Sequence, residues 1–316
     1  MITINGTEIT ELTYNGVEIE KALCNGVVVF EKTRENIIRM KTSADSISLR
    51  VTTKDGSPCE VWNDGKKIAE LQSGTHQTVS IQNNAEEILI KGKDIQELYC
   101  QYNQLTTLNA SSCTRLQKLY CNKNQLTTLN VSGCTSLRLL ACSDNQLTTL
   151  NASGCTSLRR LVCYGNQLTK LDISGCTSLQ ELDCYNNQLT TLDIRGLTSL
   201  QHLECYHNRL TTLSVSGLTS LQELYCFRTQ LTALDVSGCT SLQNLYCNNN
   251  KLSAEAFKKL FEDLPERKEK NGRVFLYKDG DSNYKDFTQP PELAAAFKAA
   301  KEKGWKFYKN NWSTEI

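Results

Sequence analysis

Fifteen cysteines give this chain its largest stock of reactive groups, and their spacing limits what they can do. Cys100, Cys121, Cys142, Cys163, Cys184, Cys205, Cys226 and Cys247 recur at one fixed interval. A second series, Cys113, Cys134, Cys155, Cys176 and Cys239, keeps the same interval, with Leu197 and Leu218 filling its two other places. Cys24 and Cys59 stand outside both. Zinc sites need close pairs such as C-x-x-C, and disulfide frameworks belong to small, irregularly spaced secreted chains. Neither pattern is present. A position that accepts leucine asks for a compact apolar group, and buried free cysteine is such a group, with a raised pKa and little reactivity. So many thiols, odd in number, suit a reducing compartment.

The other reactive constellations are weaker. Asp183 and Glu204 are one interval apart, so on stacked coils their carboxylates would lie about 5 Å apart, a separation retaining glycosidases use. An open, wet surface would leave both ionised, which removes the general acid. His202-Leu-Glu-Cys-Tyr-His207 departs from H-E-x-x-H and falls on a strand. Asp279-Gly-Asp281-Ser-Asn283 begins like a calcium loop, but Tyr284 stands where glycine is needed and Pro290 where the bidentate glutamate belongs. No phosphate-cradling glycine loop occurs. The expectation is a non-enzymatic chain with no metal and no cofactor.

The interval itself is more informative. Asn103, Asn124, Asn145, Asn166, Asn187, Asn208 and Asn250 share it, each followed two places later by leucine, and only Thr229 breaks the series. A fixed period of this length means a solenoid whose coils bury apolar sides against one another. Eight units begin at Ile95, Leu116, Leu137, Leu158, Leu179, Leu200, Leu221 and Leu242. Within Leu179-Gln-Glu-Leu182-Asp-Cys184-Tyr-Asn-Asn187-Gln-Leu189, strand alternation turns Leu182 and Cys184 inward and Glu181, Asp183 and Tyr185 outward. Asparagine at the strand exit can bond the backbone of the turn, and stacked coils would let one amide bond the next. The return segments, such as Thr190-Thr-Leu-Asp-Ile194, are short and rich in β-branched residues, which predicts extended or 3₁₀ structure.

The spacing L-x-x-L-x-C-x-x-N-x-L resembles a leucine-rich repeat with cysteine at its third apolar position, closest to the bacterial internalin-like or gut-bacterial surface type. The resemblance covers half the chain. It implies an α/β solenoid with a parallel sheet on the concave face and a recognition surface there.

An open solenoid needs caps. In residues 1–32, Asn5-Gly6, Asn15-Gly16 and Asn25-Gly26 separate apolar runs, which predicts a small three- or four-stranded hairpin unit. That start resembles segments of phage tail and prophage structural proteins, so the alternative function is a prophage-associated structural or receptor-binding virion protein. Residues 33–94 read as a small β-sandwich cap, with strands at 46–51, 59–62, 67–71, 77–81 and 87–90. Residues 95–252 form the solenoid. Residues 253–316 read as an α/β cap: a helix N-capped by Ser253 and stopped by Pro265, a strand at 274–277, a second helix from Pro290-Pro291 to Lys303, and a last strand at 305–307.

A net charge of +1, with no strongly charged segment, predicts no nucleic-acid partner, and no apolar run predicts membrane insertion. Met1-Ile-Thr-Ile-Asn-Gly6 lacks the regions of a signal peptide, which leaves localisation open, with the cytoplasm or release with phage particles expected over the cell surface. Function should then lie on the concave face. One outward column holds Tyr99, Tyr120, Asp183, Glu204, Tyr225 and Tyr246; a second holds Tyr164, Tyr185, Tyr206 and Phe227, flanked by His202, His207 and Arg228. Aromatic rings with polar tips suit recognition of a protein partner or, second, a glycan. They would also stabilise the sheet by stacking on one another.

Overall fold

Leucine and cysteine two apart on a strand drive the architecture: in every coil both are fully buried, together with leucines and isoleucines from the rest of the coil such as Leu179, Leu189 and Ile194. In the computed structural model, eight short strands from Ile95–Tyr99 to Asn244–Tyr246 lie parallel, each paired with the equivalent residues of the next coil. The structure describes the paired strands within residues 1–31 together with residues 35–81, 87–267, 269, 271–309 and 314–316.

Shortly after each concave strand the chain passes through a residue in the left-handed region. Tyr102, Lys123, Asp144, Gly165, Asn186, His207, Arg228 and Asn249 all have φ between 50° and 65°. That turn sends the chain away from the sheet at the same point of each coil. Glycine, asparagine and aspartate tolerate it best, and they fill only half of these positions, so the sequence pattern hid it.

The buried asparagines hold coil to coil, but not amide to amide as expected. The Asn187 amide donates to the carbonyls of Cys163 (3.1 Å) in the preceding coil and Cys184 (3.1 Å) in its own, while its Oδ1 accepts from the Leu168 amide at 2.9 Å. The partners are backbone groups because strand exits leave their carbonyls and amides unpaired inside the core. At Thr229 the single hydroxyl hydrogen is shared between Cys226 O and Asn250 Oδ1 (2.5 Å), and the side chain makes no bond to the preceding coil.

The fourteen cysteines whose side chains are described are free and buried, and burial pushes Cys142 and Cys205 up to about 12. The convex series is more than compact filler. Cys134, Cys176 and Cys239 donate S–H to carbonyls of the preceding coil at 3.0–3.2 Å. The return segments are extended, pairing as short parallel strands in places, such as Thr149–Asn151 with Lys170–Asp172.

The amino-terminal cap feeds both faces of the solenoid. His76–Ser80 and Ser46–Thr53 extend the concave sheet, Ser46–Thr53 running antiparallel to Ile95–Tyr99. A second sheet carries Lys66–Leu71, Cys59–Asn63, Ile88–Lys93 and Glu35–Thr42 into the convex strands Leu105–Asn109 and Thr128–Asn130. Ile38, Met40, Ile47, Leu49, Val61 and Ile90 fill the space between the sheets. Glu35–Thr42 was missed because adjacent Ile37-Ile38 and a buried Asn36 blur its alternation; Asn36 accepts from the Ile95 amide and donates to Ser112 O. Among the described residues of this segment, Ile4 pairs with Thr7, Tyr14 with Val17 and Cys24 with Val27, each antiparallel. The Asn-Gly turns they flank lie outside the described residues.

At the other end α1 (Ala254–Asp263) is capped by the Ser253 side chain, which accepts from the Ala256 amide, and α2 (Pro291–Glu302) packs beside it. Gly272–Tyr277 and Trp305–Lys309 continue the parallel sheet. Phe257, Phe261, Phe287, Phe297 and Phe307 close the core under the helices, with ring centroids 4.8–5.7 Å apart. The calcium-like turn proves structural. Asn283 takes the next ladder position, donating to Cys247 O and Leu276 O and accepting from the Leu252 amide. Asp281 is occupied by the amides of Lys278 and Asn249.

Candidate binding face

The outward residues of the concave strands form columns because successive coils pair in exact 21-residue register. Tyr99 pairs with Tyr120, Asp183 with Glu204, Glu204 with Tyr225, and Tyr225 with Tyr246. All these side chains are half-buried. In the second column Tyr164, Tyr185, Tyr206 and Phe227 stack at centroid spacings of 4.3–4.4 Å with planes within 10° of parallel. Such stacking covers ring faces and leaves edges and hydroxyls outward. Burial pushes the Tyr185, Tyr206 and Tyr225 phenols up, so they stay protonated and able to donate.

The predicted residues do not form one continuous patch. Tyr99 and Tyr120 stack at 4.5 Å near the amino end, where Arg50 lies 3.8 Å over the Tyr99 ring. Ala141 and Val162 then separate them from the carboxyl-terminal aromatics. There the two aromatic columns enclose a hollow of about 360 Å³ lined by Tyr206, Tyr225, Phe227, Tyr246 and Glu204. Three further lining residues, Asn248, Phe275 and Lys278, escaped the sequence reading. Phe275 and Lys278 belong to the cap, whose strand joins the sheet only in three dimensions. The Oδ1 of buried Asn248 has no partner.

The two histidines part company. His207 sits at the left-handed turn beside Tyr206 and Phe227, with Arg228 Nη1 3.3 Å from its Nε2; burial and that guanidinium lower its pKa. His202 faces the carboxylates instead, with Nε2 3.0 Å from Glu204 and Nδ1 3.0 Å from Glu223. Arg160 bonds Glu181 at 3.0 Å and lies 3.6 Å from Asp183. These groups line a polar hollow of about 380 Å³. The expectation that Asp183 meets an open, wet surface is corrected here: burial, then the Glu204 charge, raises its pKa.

Residues 93–133, 177–219 and 219–260 match the family model described as Leucine Rich repeats (2 copies). The matched residues carry leucine-rich repeats, and the stacked parallel strands are the solenoid such repeats build. Its repeats are similar to the functional domain of InlJ from Listeria monocytogenes, which includes a cysteine ladder, at 29% identity over 61% of this chain and 46% of that one, with a TM-score of 0.45. YopM, a leucine-rich effector protein from Yersinia pestis, gives 28% identity over 54% and 45%, TM-score 0.45. The internalin InlF from Listeria monocytogenes gives 19% over 59% and 66%, TM-score 0.38. This chain thus spans less than half the length of the first two. No curated protein matches it. The rigid sheet holds its outward side chains at fixed positions on the concave face.

Proposed function

We propose that the concave face recognises a protein partner, centred on Tyr206, Phe227, Tyr225 and Tyr246 and extending over Tyr164, Tyr185, His207 and Arg228. The observation that carries this reading is the hollow walled by Tyr206, Tyr225, Phe227 and Tyr246. Pockets of half-buried aromatic residues on rigid elements are where interface energy concentrates. A non-enzymatic role fits the same surface: Glu204 is tied to His202 rather than free to act as a base. A pyranose would suit ring edges and phenols, so a glycan is the second ligand class.

Affinity capture followed by titration of the captured partner tests the reading. Tyr206→Ala with Phe227→Ala should weaken binding by at least about 30-fold, the scale of hot-spot truncation. Substitution of Lys170 on the convex side should leave it unchanged. Equal loss from both changes would point to the convex side or to misfolding, and a hit confined to a glycan array would replace the protein by a sugar.

A further inference from the structure

Asp183, His202 and Glu204 each offer one ligand atom, and the three atoms lie within 4.8 Å of one another. We propose that they form a binding site for a divalent transition-metal ion, with zinc the best match to one imidazole and two carboxylates. The site adjoins the aromatic hollow, with Glu204 lining both, and stands without the recognition reading.

The backbone builds it in advance. His202 and Glu204 are two apart on one strand, hence on one face, and Asp183 is the register partner of Glu204 on the neighbouring strand. Sheet hydrogen bonds therefore fix all three Cα positions, and only side-chain rotation remains to close the site.

The surroundings of the imidazole are the second observation. Its Nδ1 faces Glu223, which is itself anchored by the Tyr225 hydroxyl (3.2 Å) and the Asn244 amide (3.1 Å). A histidine that gives one ring N–H to a held carboxylate presents the other nitrogen to a metal, the arrangement by which outer partners orient metal ligands. Here that other nitrogen, Nε2, points at the Glu204 carboxylate. A lone pair facing a carboxylate is unfavourable, so a cation belongs between them, either a proton or a metal ion. Arg160 does not fill that role. It lies nearer Glu181 than Asp183, which leaves three carboxylates, Asp183, Glu204 and Glu223, around one imidazole. The hollow of about 380 Å³ has room for an ion and its waters, and its opening onto the concave face leaves a coordination position for an outside ligand.

Equilibrium binding of Zn²⁺ and Co²⁺ to the full chain tests the site. One ion should bind per chain, and the Co²⁺ complex should show ligand-field bands without thiolate charge transfer, since cysteines are the competing donors. His202→Ala should weaken binding at least about 100-fold and Glu223→Gln about 10- to 100-fold. His207→Ala should have no effect. Asp183→Asn, nearly isosteric, should also weaken binding and serves if His202→Ala fails to fold by circular dichroism. Absence of saturable binding would mean that a proton holds the position, and this overturns the proposal. So would undiminished binding by His202→Ala or Asp183→Asn, or a thiolate charge-transfer band.

Discussion

Cysteine in this protein is a packing residue whose chemistry is suppressed by where it sits. The thiols of Cys142 and Cys205 are fully buried and titrate near 12 rather than at the ordinary 9.0. Ionising them means placing a thiolate in the core, with desolvation as the leading cost in both cases. Native protein at pH 8 should therefore leave the fourteen described cysteines untouched by a thiol reagent, and denaturant should release them all. A fast native reaction of several thiols in a Cys24→Ala variant would contradict the burial. The same shift links stability to pH. Below about 9 the folded and unfolded thiols are both protonated and contribute no pH dependence. Above it the unfolded chain loses protons that the folded chain keeps, so stability falls as pH rises. Each such thiol should cost about 1.4 kcal/mol per pH unit between about 9 and 12. Denaturant midpoints measured from pH 8 to 10 should drop steeply, and a cysteine-to-alanine change in the core should flatten the slope.

At the scale of the coil, asparagine does the joining. Asn187→Ala would strand the Leu168 amide and one hydrogen-bonding direction of two cysteine carbonyls, at about 3–5 kcal/mol. Asn283→Ala should cost a similar amount at the cap, although the repeat pattern gives no hint that this residue belongs to the ladder. Thr229→Asn should do the reverse. It restores a bond to the preceding coil and should raise stability by about 1 kcal/mol, read as a higher denaturant midpoint at unchanged slope. A lower midpoint for Thr229→Asn would show that the short Thr229–Asn250 contact already satisfies that coil. The asparagine column was legible because its spacing is constant from Asn103 to Asn208. Its partners were not, since the unpaired backbone groups exist only once one coil lies on the next.

Across the whole molecule, contacts run from neighbour to neighbour, so a complete coil is an exchangeable unit. Deleting residues 158–178 should leave a folded protein whose melting temperature falls by only a few degrees, because Leu179 follows the shortened chain in the same register. Deleting residues 253–316 should not be tolerated. It uncovers Leu245, Cys247 and Leu252 and removes the two strands that end the concave sheet. Soluble yield and circular dichroism distinguish the outcomes: folding of both deletions, or of neither, would contradict a core closed by that cap.

The period, the inward leucine and cysteine, the outward tyrosines and the helical cap could be read from the chain alone, because each follows from strand or helix periodicity repeated many times. What residues distant in sequence do together could not. His202 grouped in sequence with His207, yet the parallel register sets it against Glu204 and Glu223, while a left-handed turn carries His207 to the aromatic stack. Asn248, Phe275 and Lys278 meet Tyr206 and Phe227 in the same hollow only because the cap adds its strand to the sheet. Sequence spacing fixes which way a side chain faces along its own strand; only the stacking of coils and caps decides which side chains become neighbours across strands.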